Sequence, residues 1–366
     1  MKIIQIIYSL VPGGAERFVV DLSNEMAQHN EVILYTLRDD SLEDNSYYIP
    51  YLSPKVRYNN LKISPGFKPG LIPRFLKILL EEKPDVVHCH LNLVNYLFFS
   101  SLILKNKIRF IYTLHNSAET EVNSETERKI RRFFFKHKFF IPIAISGETK
   151  KSYQSYYKLI DVDVIYNGRK FEGKSPLFNE VKKEIVSYKP DNETLVFCHV
   201  SRYDAIQKNQ EMLVSAFNKL KGEGYNIILL IIGSGFEKVN SLLNMAKDHI
   251  HFLGVKSNVN DYLYSSDAFC LSSHFEGMPI SLIEAFACGC IPVCTPVGGI
   301  VDLIDNGITG FISSSTREED YIDALKQFIR DKELINRGKL VDVYEEGFSI
   351  EKCTERYMKF YRGKNS

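Results

Sequence analysis

The stretch HFEGMPISLIEAFACGC places two carboxylates, Glu276 and Glu284, eight positions apart in a run that is otherwise almost wholly apolar. An acid in a segment that reads as buried is costly unless it has a partner. Glu276 stands in a tight loop at a strand exit, where it can reach a neutral polar ligand. The loop continues Gly277-Met278-Pro279, and Pro279 suits the first turn of a helix. A helix starting there aims its free N–H groups and positive dipole end at the strand ends. Ile280, Ile283 and Ala287 make its core stripe, while Glu284 shares a side with Gly277, Ser281 and Cys288. There it can accept two hydrogen bonds from a vicinal diol such as a ribose. A capping acid and a buried ion pair explain the same two residues without any ligand.

Two cations answer these acids. In VSRYDAIQKNQ, Arg202 stands at a strand exit and Lys208 at a helix start. Such a pair near helix amides binds a diphosphate and neutralises charge on a departing phosphate oxygen. A solvated turn accounts for the spacing equally well. Gly233-Ser234-Gly235 follows the buried run LLII, and glycine lets backbone approach a ligand. The full G-x-G-x-x-G fingerprint is absent there, and absent after Gly13-Gly14, which counts against a nicotinamide or flavin site. Gly298-Gly299 forms another Gly-bearing strand exit. Together the glycines, cations and acids look like a nucleotide-diphosphate site.

Such a site needs strand ends to stand on. Strand-like runs in the first half are KIIQIIY, EVILYTL, DVVHCHL, RFIYTLH, FIPIAIS and VDVIYN, with helical periodicity in Ala15–His29 and Leu71–Leu80. After Asn167 the chain turns polar, rich in Gly, Pro and Lys, and residues 168–193 are the expected linker. A second series, TLVFCHVS, NIILLIIG, IHFLG, AFCLSS, IPVCTP and GFISS, follows. Two β-α-β series predict two doubly wound, Rossmann-like α/β domains with parallel sheets, whose ligands sit beyond the carboxyl ends of the strands.

The bounds agree. A chain of 366 residues exceeds one ordinary core. Lys+Arg 46 against Asp+Glu 45 gives no basic domain for nucleic acid, so no nucleic-acid partner is expected. No signal peptide is expected from the opening MKIIQIIYSLVPGGAER, the apolar runs are too short to span a bilayer, and the 7 cysteines are odd in number. These features predict a reduced, cytoplasmic protein. Cys288, Cys290 and Cys294 lack a second paired cluster and read as small buried hydrophobes rather than zinc ligands. His88 and His90 alternate onto one strand face as packing or cleft-facing residues.

At this point the chain resembles the retaining GT-B glycosyltransferases of group 1, family 4. EGMPISLIEAFACGCIPVCTPVGGIVDLIDNGITGFI resembles that family's E-x7-E signature, and KPDVVHCHL, TLHN, AISGETKKSY, VIYNG and VSRYDAIQKNQ stand in the family order. The resemblance implies two Rossmann-like domains facing a central cleft. Residues 1–170 would bind acceptor, residues 171–349 would bind the donor, and a helix at about 350–366 would pack back on the first domain through Tyr357, Met358 and Tyr361. It implies that Glu276 contacts hydroxyls of the transferred sugar and Glu284 the ribose. Arg202 and Lys208 would bind the diphosphate as it leaves, and backbone amides at Gly277, Met278 and Pro279 would contact sugar and phosphate. Gly14 would approach the donor from the other domain, Gly233 would line its site, His115 would face the sugar, and Val255 would flank the base. No cofactor and no metal is implied; the donor is a nucleotide-sugar, UDP ahead of GDP. DVD at 161–163 stands in a strand leading to the linker and is discounted as a metal motif. YNGRKFEG departs from the acidic residue commoner in the family after Asn-Gly, which touches the hinge.

The implied reaction moves a hexose-type sugar to a glycan or lipid-linked acceptor in cell-surface polysaccharide biosynthesis. The alternatives are a non-catalytic carbohydrate-binding partner of the same fold, or an epimerase or phosphorylase on it. RKIRRFFFKHKFF, residues 128–140, interleaves basic residues with Phe, which suits peripheral contact with anionic headgroups at the inner face of the plasma membrane. A packed helix with a solvated basic face explains it too.

Overall fold

A computed structural model describes residues 1–122 and 124–363. The chain divides into two compact units, Met1–Lys170 together with the chain from Phe348 onward, and Phe171–Gly347.

In the first unit, β1 (Lys2–Ile7), β2 (Glu31–Arg38), β3 (Val56–Ile63), β4 (Val86–His90), β5 (Arg109–Leu114), β6 (Ile141–Ala144) and β7 (Asp163–Val164) form one sheet. Its order is β3-β2-β1-β4-β5-β6-β7, and every pairing is parallel. Parallel neighbours need long crossovers, which α1 (Gly14–Met26), α2 (Leu71–Glu82), α3 (Val94–Leu104), α4 (Glu125–Lys136) and α5 (Gly147–Tyr157) supply. Helices cover the sheet, so β1 and β4 are apolar or buried at nearly every position rather than alternating.

The sequence reading missed β3. In VRYNNLKI only Val56 and Leu61 are buried, because an edge strand with a wet side shows no apolar run. It also closes on a bulge, where the pairing with β2 shifts and Lys62 adopts φ 53°.

In the second unit, the stretch expected as a linker carries α6 (Phe178–Tyr188), anchored by buried Val181 and Ile185 one turn apart. Two apolar anchors among lysines and glutamates were too few to outweigh the polar composition. β8 (Leu195–Val200), β9 (Ile227–Ile232), β10 (Ile250–Gly254), β11 (Ala268–Leu271), β12 (Ile291–Cys294) and β13 (Phe311–Ile312) follow in the parallel order β10-β9-β8-β11-β12-β13. Between and after them lie α7 (Gln210–Gly222), α8 (Asn240–Met245), α9 (Val259–Tyr264), α10 (Ile280–Ala287), α11 (Ile300–Leu303), α12 (Glu318–Asp331) and α13 (Arg337–Val343). The closing helix α14 (Ile350–Arg362) belongs to the first unit, where it packs on α1 with Tyr357, Met358 and Tyr361 buried.

The Phe-rich basic stretch requires a correction. α4 begins before it, at Glu125, and ends at Lys136. Arg131, one of the basic residues of that stretch, is fully buried: it pairs with Glu127 at 2.6 Å and donates to the Tyr112 hydroxyl at 3.3 Å. Phe134, Phe135 and Phe140 are core residues. The face left to solvent carries Lys129, Ile130, Phe133, Lys136, His137 and Lys138.

Candidate functional site

In the second sheet the chain winds outward from β8 to β10, then returns to β11 on the other side of β8. The crevice at this reversal, beyond the carboxyl ends of β8 and β11, is where open α/β sheets bind ligands. Arg202, Lys208 and Glu276 all stand on the two loops that leave these strands.

The loops are stitched together. The His274 amide donates to the Gln207 carbonyl at 2.8 Å, and Ser272 Oγ donates to the Lys208 carbonyl at 2.9 Å. Lys208 Nζ donates to Glu276 Oε1 at 2.5 Å, with Ser273 Oγ donating to the same oxygen at 2.6 Å. The Glu276 side chain is only 4% exposed and that of Lys208 13%. Arg202 is half exposed and leans on Asp204 Oδ2 at 2.9 Å. Lys208 itself precedes the first turn of α7, with Asn209 between them at φ 52°. Beneath Arg202 lies a buried support: Gln210 Nε2 donates to the Arg202 carbonyl at 3.0 Å and to Ser201 Oγ at 2.9 Å, and His199 Nε2 meets Ser201 Oγ at 2.7 Å. Burial pushes His199 down to about 4, so its ring is neutral at physiological pH.

Glycines let these loops touch. A Cβ on Gly298 (φ 58°) would sit 2.0 Å from the Glu276 carbonyl oxygen, and one on Gly299 2.7 Å from that of Gly277. The Gly299 amide donates to the Gly277 carbonyl at 2.6 Å. The Gly298-Gly299 loop is therefore the buttress of the Glu276 loop. Gly298→Ala should push that loop out of place and lower the transfer activity implied by the resemblance by about tenfold or more, since a misplacement of ~1 Å is costly in catalysis. Side-by-side kinetics and melting would check this; unchanged kinetics in a folded variant would remove the buttress role. Gly233 (φ 145°) plays a similar part. Its missing Cβ would lie 1.8 Å from the Ser201 carbonyl, so the close approach seen here is to backbone of the Arg202 loop.

Pro279 differs from expectation. It is the N-cap of α10, with φ −70° and ψ 117°, and not a residue of its first turn. Having no N–H, it cannot donate to a ligand, which leaves the amides of Gly277 and Met278 for that purpose. The Met278 side chain is buried against Gly299. In α10 only Ser281 and Glu284 escape full burial, so the face on which the sequence placed Glu284 is the accessible one. Val255, at the end of β10, is exposed.

In the first unit the order reverses between β1 and β4. The exits nearby carry Gly14, which opens α1, Leu91 at φ 59°, and His115 after β5. His115 Nε2 lies 3.0 Å from His90 Nδ1, and His90 Nε2 lies 2.8 Å from Gln5 Oε1. Desolvation holds both rings neutral, His90 well below the usual range and His115 down to about 3. The proton positions then follow. The Gln5 oxygen only accepts, so His90 carries its hydrogen on Nε2 and accepts on Nδ1; His115 donates from Nε2, leaving its Nδ1 as an acceptor. Glu121 fixes the loop, accepting from the His115 and Asn116 amides at 3.0 and 3.1 Å, and burial pushes its carboxyl up to about 7. His88, on the same strand face as His90, is buried between Tyr361 and Thr113, each at 2.7 Å.

Sequence reasoning missed Ser273, Gln210, His199, Gln5 and Glu121. For Gln5, His199 and Ser273 the signal was a polar residue inside or beside an otherwise apolar strand; Gln210 and Glu121 stand away from the strands and carried none. All 7 cysteines are free and buried, and among the described residues no group of His, Cys, Asp and Glu is arranged to hold a metal ion.

Two Rossmann-like units in series are the architecture of the GT-B fold. The crystal structure of Anabaena HepE in complex with UDP and glucose matches with a TM-score of 0.81 over 99% of each chain, at 17% identity, which shows the fold. The chain belongs to the group 1 glycosyltransferases: the family described as Glycosyl transferases group 1 matches residues 180–339, and Glycosyltransferase Family 4 matches residues 12–171. It is 24% identical to the N-acetyl-alpha-D-glucosaminyl L-malate synthase of Bacillus anthracis, across 95% of this chain and 93% of that one. It is 26% identical to the UDP-Gal:alpha-D-GlcNAc-diphosphoundecaprenol alpha-1,3-galactosyltransferase of Escherichia coli, across 88% and 84%.

Proposed function

We propose that this glycosyltransferase moves a hexose-type sugar from a nucleotide-diphosphate donor, a UDP-sugar before a GDP-sugar, to a glycan or lipid-linked acceptor. The proposal includes retention at the anomeric carbon, no metal, and a place in cell-surface polysaccharide biosynthesis. One observation carries it: the Lys208–Glu276 pair, with Arg202 beside it, at the reversal point of the second sheet. A cation and an acid placed together there suit the two ends of a sugar diphosphate. Lys208 and Arg202 would take the phosphates, Glu276 the sugar hydroxyls, and Glu284 the ribose. As the C1–O bond to phosphate breaks, the cations offset charge on the leaving oxygen. The acceptor oxygen bonds to C1 on the same face and gives its proton to that phosphate oxygen. His115 Nδ1 serves as a hydrogen-bond acceptor for a substrate hydroxyl. The relative named for UDP-Gal and the fold neighbour holding UDP and glucose support the choice of donor. A panel of UDP-, GDP- and ADP-sugars, followed by chromatography of the released nucleotide, tests it. Release of UDP from one UDP-hexose is expected; inertness toward every donor would end the proposal.

Contact with an anionic membrane also remains a proposal, now on a sharper surface. No described helix is long and apolar enough to cross a membrane. α3 and α4 pack side by side through the Phe98–Phe134 stack at 4.1 Å. Their outer faces expose Phe99, Leu102 and Ile103, and Ile130 and Phe133, each 43–52% exposed. Lys105, Lys129 and Lys136 are exposed on the same two helices or their ends. Large apolar side chains beside lysines suit insertion at a headgroup boundary. Phe133→Glu with Leu102→Glu should weaken sedimentation with phosphatidylglycerol vesicles by about tenfold or more, each lost side chain being worth ~1.5 kcal/mol. Equal sedimentation of variant and wild type would discard this surface.

A further inference from the structure

The tautomer of His115 is decided at a distance from His115. Its Nδ1 is left bare because His90 takes the hydrogen of its Nε2, and His90 does so because its own hydrogen goes to Gln5 Oε1. The direction of both bonds therefore rests on which way the Gln5 amide points. Turned over, it would donate to His90, and each hydrogen beyond would reverse.

Two neighbours on other elements face the Gln5 amide. Its Nε2 lies 3.5 Å from Met26 Sδ, at the end of α1, and 3.4 Å from the Tyr361 hydroxyl on α14. A thioether sulfur has no hydrogen to give, so the amide nitrogen, not its oxygen, belongs beside Met26. Tyr361 then accepts from Gln5 and keeps its own hydrogen for His88 Nδ1, at 2.7 Å. His88 carries its hydrogen on Nε2 and donates to Thr113 Oγ1 at 2.7 Å, and Thr113 donates to the Tyr357 hydroxyl at 3.2 Å. The reversed sense fills the same bonds but sets the Gln5 oxygen against the sulfur lone pairs. Met26 breaks the tie.

The network is also sealed. Gln5, His88 and His90 are fully buried and His115 is 6% exposed, so water has no access to replace a lost partner. Phe18 stands edge-on to the rings of both His90 and His115, with centroids 6.4 and 6.0 Å apart. Desolvation keeps the three imidazoles neutral, which leaves each with one hydrogen to place.

We propose that Gln5 and His90 are positioning residues of the transfer reaction: with Met26 and Tyr361 orienting the Gln5 amide, they hold His115 in the Nε2–H form, so that its Nδ1 accepts from a substrate hydroxyl. This rests on the function proposed above, which sets His115 before such a hydroxyl. Neither residue touches substrate, and the closing helix α14 becomes part of the support of the site through Tyr361.

The test labels histidine with nitrogen-15 and reads the ring nitrogens by NMR at neutral pH. A nitrogen that bears hydrogen and a bare one give well-separated signals, and single histidine replacements assign the rings. In the wild type, His88, His90 and His115 should each be bare at Nδ1 and carry hydrogen on Nε2. Gln5→Leu removes the acceptor without adding charge; it should turn His90 and His115 into mixtures of tautomers and leave His88, still served by Tyr361, as it was. The same variant should lower kcat for sugar transfer about fivefold to tenfold, the worth of one hydrogen bond, with UDP affinity kept within about twofold. Hydrogen on Nδ1 of His115 in the wild type would overturn the proposal with no variant needed. So would an unmoved His115 in Gln5→Leu, or a loosened His115 at undiminished kcat. A His88 pattern lost along with the other two would make Gln5 a packing residue, which also overturns it. A wild type inert toward every sugar donor, with His115 locked there and loosened in Gln5→Leu, would sink the proposed function and uphold the hold on His115.

Discussion

Replacing Glu276 by Ala is expected to abolish sugar transfer, with a fall of about a thousandfold, while UDP affinity stays within about threefold. The reason lies in how the carboxylate is held. One oxygen takes hydrogen bonds from Lys208 and Ser273, and the side chain is 4% exposed, so its orientation is fixed before a sugar arrives. A preorganised group contributes most where charge and geometry change during reaction. Lys208→Met should behave differently, losing rate and weakening UDP together, because the cation serves the phosphates. Each single change strands the partner in a nearly dry site, so each should also cost ~1–3 kcal/mol of stability. Rates must therefore be read below the variant's melting range. Measured singly and together, the two should be non-additive. A Glu276→Ala enzyme with wild-type rate would remove Glu276 from the reacting centre.

The second large effect is acid sensitivity. His88, His90 and His115 in the first unit and His199 in the second are buried, and desolvation depresses all four. A depressed histidine favours folding above its unfolded value of ~6.5, and that advantage is lost as pH falls toward the folded value. Glu121 acts in the opposite sense: raised to about 7, its contribution is present below ~4.5 and lost as pH rises through 7. Near pH 5.5 the first unit thus has three histidines against one glutamate, a net of about two protons more bound when unfolded. That corresponds to ~3 kcal/mol lost per pH unit; in the second unit burial lowers His249 and His251 beside His199, so it too loses stability over this interval. Melting or urea unfolding between pH 7 and pH 5 should show steep loss. Stability flat across that interval would mean the rings are not held neutral.

Much of this was legible in the sequence, for a physical reason. Buried parallel strands show as unbroken apolar runs, and the glycines that end them mark where loops must crowd, as at Gly298-Gly299. Edge and surface elements were less legible. β3 carries Asn59 and Asn60 where an inner strand would carry Ile or Val, and α6 needs only Val181 and Ile185 to hold it. Pattern alone could not say that Arg131 turns inward to Tyr112, since a buried Arg and a lipid-facing one have the same letters around them. Nor could it show that Lys208 and Glu276, far apart in sequence, meet across β8 and β11. That pairing depends on the order of strands in the sheet.

The most direct measurement is calorimetric titration of UDP, with GDP and ADP beside it, into wild type, Lys208→Met and Glu276→Ala. The expected result is one UDP per chain with affinity between ~1 µM and ~1 mM, weakened about tenfold or more by Lys208→Met and nearly unchanged by Glu276→Ala. Binding of none of the three nucleotides, or equal binding by wild type and Lys208→Met, would contradict a nucleotide-diphosphate site at the reversal point of the second sheet.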